Sequence, residues 1–106
     1  MKYQLKKFVI SKEMVKLLYF AEFKLITKKE KESFNLKGDK TVRELVHKLI
    51  EKYPKMKNLL LSNHSEKLKN SISISVNHSV VKRDDPMSLQ LKKDDVISFL
   101  LPVSGG

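Results

Sequence analysis

The residues with the clearest chemical potential are the last five of the chain, Pro102, Val103, Ser104, Gly105 and Gly106. Glycine has no side chain to obstruct a narrow channel, and five extended residues reach roughly 16 Å. We expect this segment, residues 102–106, to be a flexible tail that delivers the α-carboxylate of Gly106 into the active site of another protein. A frayed terminus is the alternative interpretation.

Other kinds of chemistry are disfavoured by what the sequence does not contain. The absence of cysteine excludes disulfides, thiolate metal sites and a thiol nucleophile. The three glycines are too few and wrongly placed for a dinucleotide fingerprint or a phosphate-binding loop. The histidines, His47, His64 and His78, lack metal-ligand spacing. We therefore expect the chain to bind neither a metal ion nor a cofactor.

The charge of the chain invites a nucleic-acid interpretation. The net charge is +10 over 106 residues, but of the 22 basic residues only Arg43 and Arg83 are arginine, and the lysines are scattered. Arginine is the residue that reads phosphates and guanine bidentately, so nucleic-acid binding is disfavoured as the main function. With no signal peptide and no apolar run of about 18 residues, we expect a soluble, cytoplasmic protein without membrane contact.

The elements that must position the tail begin after a basic extension at residues 1–13, which is either a frayed end or an added edge strand. Residues 14–23 predict a first strand. Val15, Leu17, Tyr19 and Ala21 lie on one face of it, whereas Lys16, Leu18, Phe20 and Glu22 lie on the other. A polar stretch leads to a second strand at residues 32–36, and the two strands form a hairpin.

The clearest local signal is a capping box, with Thr41 as the N-cap and Glu44 three residues later. Apolar residues at helical spacing follow, and Pro54 ends the helix. Strands are then predicted at residues 71–76, 80–81 and 96–101, with a tight turn at Asn77-His78 between the first two. This order predicts an α+β fold, a ubiquitin-like β-grasp over residues 14–101 whose mixed sheet is covered on one face by a helix.

The last strand is apolar on both faces. Ile97, Phe99 and Leu101 alternate with Val96 and Leu100. A fully buried central strand would explain this. Alternatively, because only one well-formed helix is predicted, the second face stays open and binds a partner.

The segment at residues 96–106 resembles the C-terminus of the small subunit of molybdopterin synthase, which runs from a Phe-rich strand through Pro-Val-Thr/Ser to Gly-Gly. Residues 17–21 resemble that family's first strand, and the helix capped by Thr41 occupies the expected place. The resemblance covers residues 14–106. It departs at Leu100 and Leu101, where the family often has Phe and Pro.

This resemblance implies a non-catalytic sulfur carrier. An adenylyltransferase similar to ubiquitin-activating enzymes would use ATP to couple Gly106 to AMP, and a sulfurtransferase would convert the adenylate to a thiocarboxylate. The tail would then enter the large subunit of a heterotetrameric synthase and give its sulfur to cyclic pyranopterin monophosphate. The family's docking surface corresponds to four apolar residues here, Phe20, Val80, Leu100 and Leu101.

Three other functions stay open. With the same fold, the chain could be a protein modifier that is joined to lysines, or a sulfur carrier for thiamin or transfer RNA. A function of another class is a basic adaptor whose lysine surface binds RNA or an acidic protein.

Overall fold

The computed structural model describes residues 14–63 and 65–102, so the extension at residues 1–13 and the end of the tail lie outside it. Along the described chain, strands and α-helices follow one another as β1 (Met14–Leu18), α1 (Ala21–Thr27), β2 (Lys31–Asn35), α2 (Val42–Lys52), α3 (Met56–Leu60), β3 (Ser73–Val76), β4 (Ser79–Val81) and β5 (Val96–Leu100). A short 3-10 turn at Pro86–Ser88 lies between β4 and β5.

The strands form one sheet in the order β2-β1-β5-β3-β4. The central pair, β1 and β5, is parallel, whereas β1–β2, β3–β4 and β3–β5 are antiparallel. A parallel pair needs a long crossover connection, and here the chain between β1 and β5 includes the helices that cover the sheet. The prediction of a ubiquitin-like β-grasp with a mixed sheet is confirmed.

The core lies between α2 and one face of the sheet. Residues of α2 that are three or four positions apart belong to it: Val42, Leu45, Val46 and Leu49 are fully buried. From the two central strands, Leu17 and Ile97 are also fully buried in the same cluster. The apolar stripe read from the sequence is therefore the face of α2 that packs on the sheet.

Helix α2 begins as predicted, but its capping glutamate, Glu44, accepts hydrogen bonds from other backbone groups than in a full capping box. The Oγ1 of Thr41 accepts the N–H of Glu44 at 3.3 Å. The Glu44 carboxylate does not return to the N-cap amide as in a full capping box. Instead it accepts the N–H groups of Lys37, Gly38 and Lys40 at 2.9, 2.8 and 2.8 Å. One carboxylate therefore holds the whole turn that leads into the helix.

The strand predicted over residues 14–23 is wrong in its second half. Strand β1 ends at Leu18, and α1 begins at Ala21, whose φ of 51° turns the chain out of the sheet. Ala21 is exposed rather than facing the core. Phe23 takes the core position from the helix, with its ring centroid 6.2 Å from that of Phe99. Burial of one phenylalanine by tertiary packing thus overrides the strand propensity of the segment.

The other predicted strands agree with the structure to within two residues. Strand β2 forms the predicted hairpin with β1, with α1 inserted in the connection. Asn77 and His78 both adopt positive φ, 51° and 72°, as a tight turn between β3 and β4 requires. Strand β5 ends at Leu100, one residue earlier than predicted.

A buried carboxylate fixes the other end of α2 against the edge strand β2. Glu32, whose side chain is 8% exposed, accepts the hydroxyls of Tyr19 and Tyr53 at 2.8 and 2.9 Å and the ammonium of Lys29 at 3.1 Å. Lys52 donates to the same carboxylate. Burial alone would raise the pKa of Glu32, but the hydrogen bonds from Lys52, Tyr19, Tyr53 and Lys29 outweigh it and lower the pKa to about 2.

This network predicts a specific dependence of stability on acid. The pKa of Glu32 in the folded protein lies below its ordinary value, so the stabilisation is complete above about pH 5 and is lost as the pH falls toward about 2. We expect Glu32→Gln to lower the free energy of unfolding at neutral pH by about 1–3 kcal/mol, because two lysines lose their anionic partner. It should also flatten the acid dependence of stability.

Urea unfolding at a series of pH values between about 2 and 7 measures both effects. Glu51→Gln is the matched control, since Glu51 is an exposed residue of α2 without an ion pair in the part of the chain that is described. An acid dependence of Glu32→Gln equal to that of the wild type would contradict the role given to Glu32.

Candidate functional site

The face of the sheet opposite α2 carries no helix in the described residues, and we call it the open face. One line of side chains across it can be read from the strand registers, running from β2 to β4 as Lys31, Leu18, Ser98, Ser75 and Val80. Apolar residues thus lie near β1 and at the far edge, with two serines between them. The open face is divided into two apolar regions rather than being uniformly apolar.

The larger apolar region, called the apolar cluster below, consists of Leu18, Phe20 and Leu100. Leu18 and Leu100 are half-buried, and the Phe20 side chain is 49% exposed. The parallel register pairs Leu18 with Ser98, two residues before Leu100 on the same strand face. Phe20 follows two residues after the end of β1. Exposed large apolar groups that share one face commonly mark an interaction surface.

The exposure of Phe20 follows from its position between a strand and a helix. It is the N-cap residue of α1, in an extended conformation, and its carbonyl accepts the N–H of Phe23 at 3.0 Å. The positive φ of Ala21 then turns the chain out of the direction of β1. The backbone therefore buries Phe23 in the core and leaves Phe20 on the open face.

The structure separates the four apolar residues that the resemblance grouped together. Val80, 53% exposed, lies on the edge strand β4, two strands away from Leu100, which corresponds to about 10 Å. Ser73, which pairs with Leu100, lies in between. Leu101 is half-buried and packs against the core cluster, so its side chain is only partly available to a partner.

The tail leaves the sheet next to the apolar cluster. Leu100 is the last residue of β5, and Pro102 is exposed. Proline has no N–H to donate to a strand ladder, so the chain leaves the sheet here. Val103, Ser104, Gly105 and Gly106 lie outside the described residues, and the flexible tail stays a prediction.

The surroundings of the apolar cluster are basic. Lys16 of β1 and Lys31 of β2 are exposed and lie on the open face by the alternation of their strands. Alternation with Val15 and Leu17 predicts from the sequence that Lys16 and Leu18 lie on this face. From the sequence, neither residue is assigned a role in binding a partner. A complementary partner surface would be apolar at its centre and acidic at its rim.

The described residues do not suggest metal chemistry. Over residues 14–63 and 65–102, no group of three or more His, Cys, Asp or Glu side chains is arranged to hold a metal ion. The same part of the chain contains no helix that is both long and apolar enough to cross a membrane.

The strand order and the single capped helix on one face define a ubiquitin-like β-grasp protein. The model of the ThiS family matches residues 17–106. The chain therefore belongs to the ThiS family of ubiquitin-like sulfur carriers.

Solved structures of several such proteins are similar to this chain. Small archaeal modifier protein 1 from Methanosarcina acetivorans is 27% identical with a TM-score of 0.75, over 90% of this chain and 98% of that one. The putative molybdopterin converting factor subunit 1 from Pyrococcus furiosus is 26% identical with a TM-score of 0.66, over 85% and 98%. A chain of the Amycolatopsis orientalis BexX/CysO complex is 25% identical with a TM-score of 0.68, over 87% and 99%.

The two faces of β5 predict opposite effects of the same substitution at adjacent positions. Leu100→Glu places a charge on the open face, where water can solvate it, and we expect the free energy of unfolding to fall by at most about 2 kcal/mol. Phe99→Glu places the charge in the core, where Phe99 is 2% exposed, and we expect a loss above about 4 kcal/mol. Thermal unfolding by circular dichroism measures both. Similar losses for the two variants would show that the open face is part of the core.

Proposed function

We propose that this protein is the sulfur-carrier small subunit of a cytoplasmic molybdopterin synthase, carrying a thiocarboxylate on Gly106 that donates sulfur to cyclic pyranopterin monophosphate. The observation that carries the proposal is the family match, which extends through the diglycine to residue 106. The similarity to a putative molybdopterin converting factor subunit supports the choice of acceptor.

The proposed chemistry takes place on the carboxylate of Gly106. The carboxylate attacks the α-phosphorus of ATP, pyrophosphate leaves, and an acyl-adenylate forms. Sulfide then attacks the carbonyl carbon, so that a C–S bond forms, the bond from carbon to the AMP oxygen breaks, and AMP leaves. In the synthase the thiocarboxylate sulfur forms a bond to a carbon of the precursor and displaces an oxygen substituent from it. Water then cleaves the acyl–sulfur bond, which leaves the sulfur on the precursor and restores the carboxylate. Partner proteins supply the general bases and the charge stabilisation.

The described residues contribute docking in this proposal. The apolar cluster binds the large subunit, because burying Phe20 and its neighbours removes apolar surface from water beside the point where the tail begins. Lys16 and Lys31 pair with carboxylates at the rim of the interface. An interface centred on the apolar cluster directs the tail from Pro102 toward the partner's active site.

The first experiment is the intact mass of the protein after incubation with ATP, a sulfide source and the cognate adenylyltransferase. We expect a gain of about 16 Da, oxygen replaced by sulfur, confined to the C-terminal peptide. A variant that lacks Gly106 should gain no mass and should keep its melting temperature, because we expect the tail to make no contribution to the core. A sulfur-transfer activity that survives this deletion would rule the proposal out.

A second experiment tests the docking face at the half-buried Leu100 and the exposed Val80. We expect Leu100→Glu to weaken binding to the large subunit of molybdopterin synthase at least about tenfold, because a charge is buried without a partner. Val80→Glu, on the separate edge region, should weaken it less than about threefold. Isothermal titration calorimetry with both variants gives the comparison. An equal loss for both would mean that the interface extends over the serines to β4.

A second candidate function is protein modification, and the similarity to a small archaeal modifier protein favours it. The ε-amine of a lysine, formed when its ammonium loses a proton, would then attack the same Gly106 adenylate, form an isopeptide bond and release AMP. Tryptic peptides of lysate proteins that carry the tail on a lysine would reveal this reaction. Conjugates without any thiocarboxylate would favour a modifier, whereas a thiocarboxylate that reacts with another acceptor would favour thiamin or transfer-RNA thiolation.

A further inference from the structure

A groove with a volume of about 930 Å³ lies at the β4 side of the molecule. Its two walls are the segment that leads into β3 and the segment that follows β4, and Arg43 of α2 lies between them. Of the apolar residues on the open face, the groove includes only Val80. The apolar cluster and the exit of the tail are not part of it.

The groove is lined by five cationic side chains, Arg43, Lys67, Lys69, Lys82 and Arg83. Within the part of the chain that the structure describes, none of the five forms an ion pair with a carboxylate. Arg83 donates a hydrogen bond only to the hydroxyl of Ser88, at 3.4 Å. The five cations outnumber the three carboxylates that also line the groove, Glu66, Asp84 and Asp85, so the site is net positive and favours a bound anion.

The bottom of the groove is apolar. It is formed by four almost completely buried side chains that belong to the hydrophobic core: Leu68, Ile72, Ile74 and Met87. The groove therefore combines an apolar floor with charged walls. Sites of this kind hold ligands that have both apolar and anionic groups.

Two features narrow the chemistry of the ligand. Asp84 and Asp85 line the wall next to Arg83, and their charges oppose a compact polyphosphate there. None of the described residues that line the groove is aromatic, so it offers no platform on which a nucleic-acid base could stack. An extended chain whose charges are spread along its length satisfies both conditions.

We propose that this groove binds an extended acidic segment of a partner protein in which carboxylates alternate with aliphatic residues. Successive side chains of an extended peptide point in opposite directions, so one set can reach the cationic walls while the other packs on the floor. This second interaction surface goes beyond the sulfur-carrier function and is independent of it. The acidic segment would be the ligand of the positively charged residues at this edge of the molecule.

The test uses the full-length chain and a fluorescein-labelled peptide of about eight alternating aspartate and leucine residues, which spans roughly 26 Å when extended. Fluorescence anisotropy gives its affinity, and a second peptide with serine in place of leucine tests the floor. The groove variant K67E/K82E reverses one exposed lysine on each wall. The matched control K55E/K93E reverses two exposed lysines outside the groove, so both variants have the same net charge.

We expect the groove variant to bind the leucine peptide at least about tenfold more weakly, and the control variant less than about threefold more weakly. The serine peptide should bind the wild type several-fold more weakly than the leucine peptide. Melting temperatures confirm that both variants fold. Equal losses in the two variants would assign the binding to overall charge and overturn the proposal. Absence of any binding of the leucine peptide to the wild type would also overturn it. So would a single-stranded RNA that binds the wild type more tightly than the peptide does, displaces the peptide from it, and fails to do so with the groove variant.

Discussion

The whole arrangement depends on one constraint: a single long helix can cover only one face of a five-stranded sheet. Side chains of β5 alternate between the faces, so Ile97 and Phe99 are buried under the helices while Leu100 remains on the other side. The same alternation along β1 buries Leu17 and leaves Leu18 half-buried. Core formation and the display of an apolar surface are therefore two results of one strand pairing.

Helix α2 can seal its face because both of its ends are fixed by a carboxylate. At the N-terminal end, Glu44 accepts three backbone N–H groups from the preceding turn. At the C-terminal end, Tyr53 donates to Glu32 of the edge strand. Hydrogen bonds to a charged group are stronger than those between neutral groups. Each of the two glutamates can therefore fix one end of the helix to the neighbouring chain. The helix is thereby held along its full length against the sheet.

Much of this could be predicted from the sequence because the signals are local. Thr41 and Glu44 are three residues apart, and the turn at Asn77 needs only the tolerance of asparagine for positive φ. The start of α1 could not be predicted, since Tyr19 and Ala21 continue the alternation of β1 and only the packing of Phe23 on Phe99 decides between strand and helix. Local propensity carries no information about a contact 76 positions away along the chain.

The candidate site was predictable only in part, for a related reason. Alternation alone predicts that Phe20 and Leu100 lie on the face opposite the core. In the structure Phe20 is exposed and Leu100 is half-buried. The distance between Leu100 and Val80 depends on the strand order, which places β3 and its serines between them. The network around Glu32 joins residues up to 21 positions apart and has no sequence signature. Information of this kind exists only once the sheet is assembled.

Within the described residues, the two outer strands of the sheet, β2 and β4, present unpaired backbone groups that could template fibre growth. Strand β4 is only three residues long and is followed directly by Lys82 and Arg83. If two copies of this strand paired, their positive charges would repel each other. Strand β2 begins at Lys31, which likewise discourages edge-to-edge stacking. The described part of the sheet is therefore protected against polymerising with itself, because β4 is short and each of the two edge strands has a cationic residue at one end.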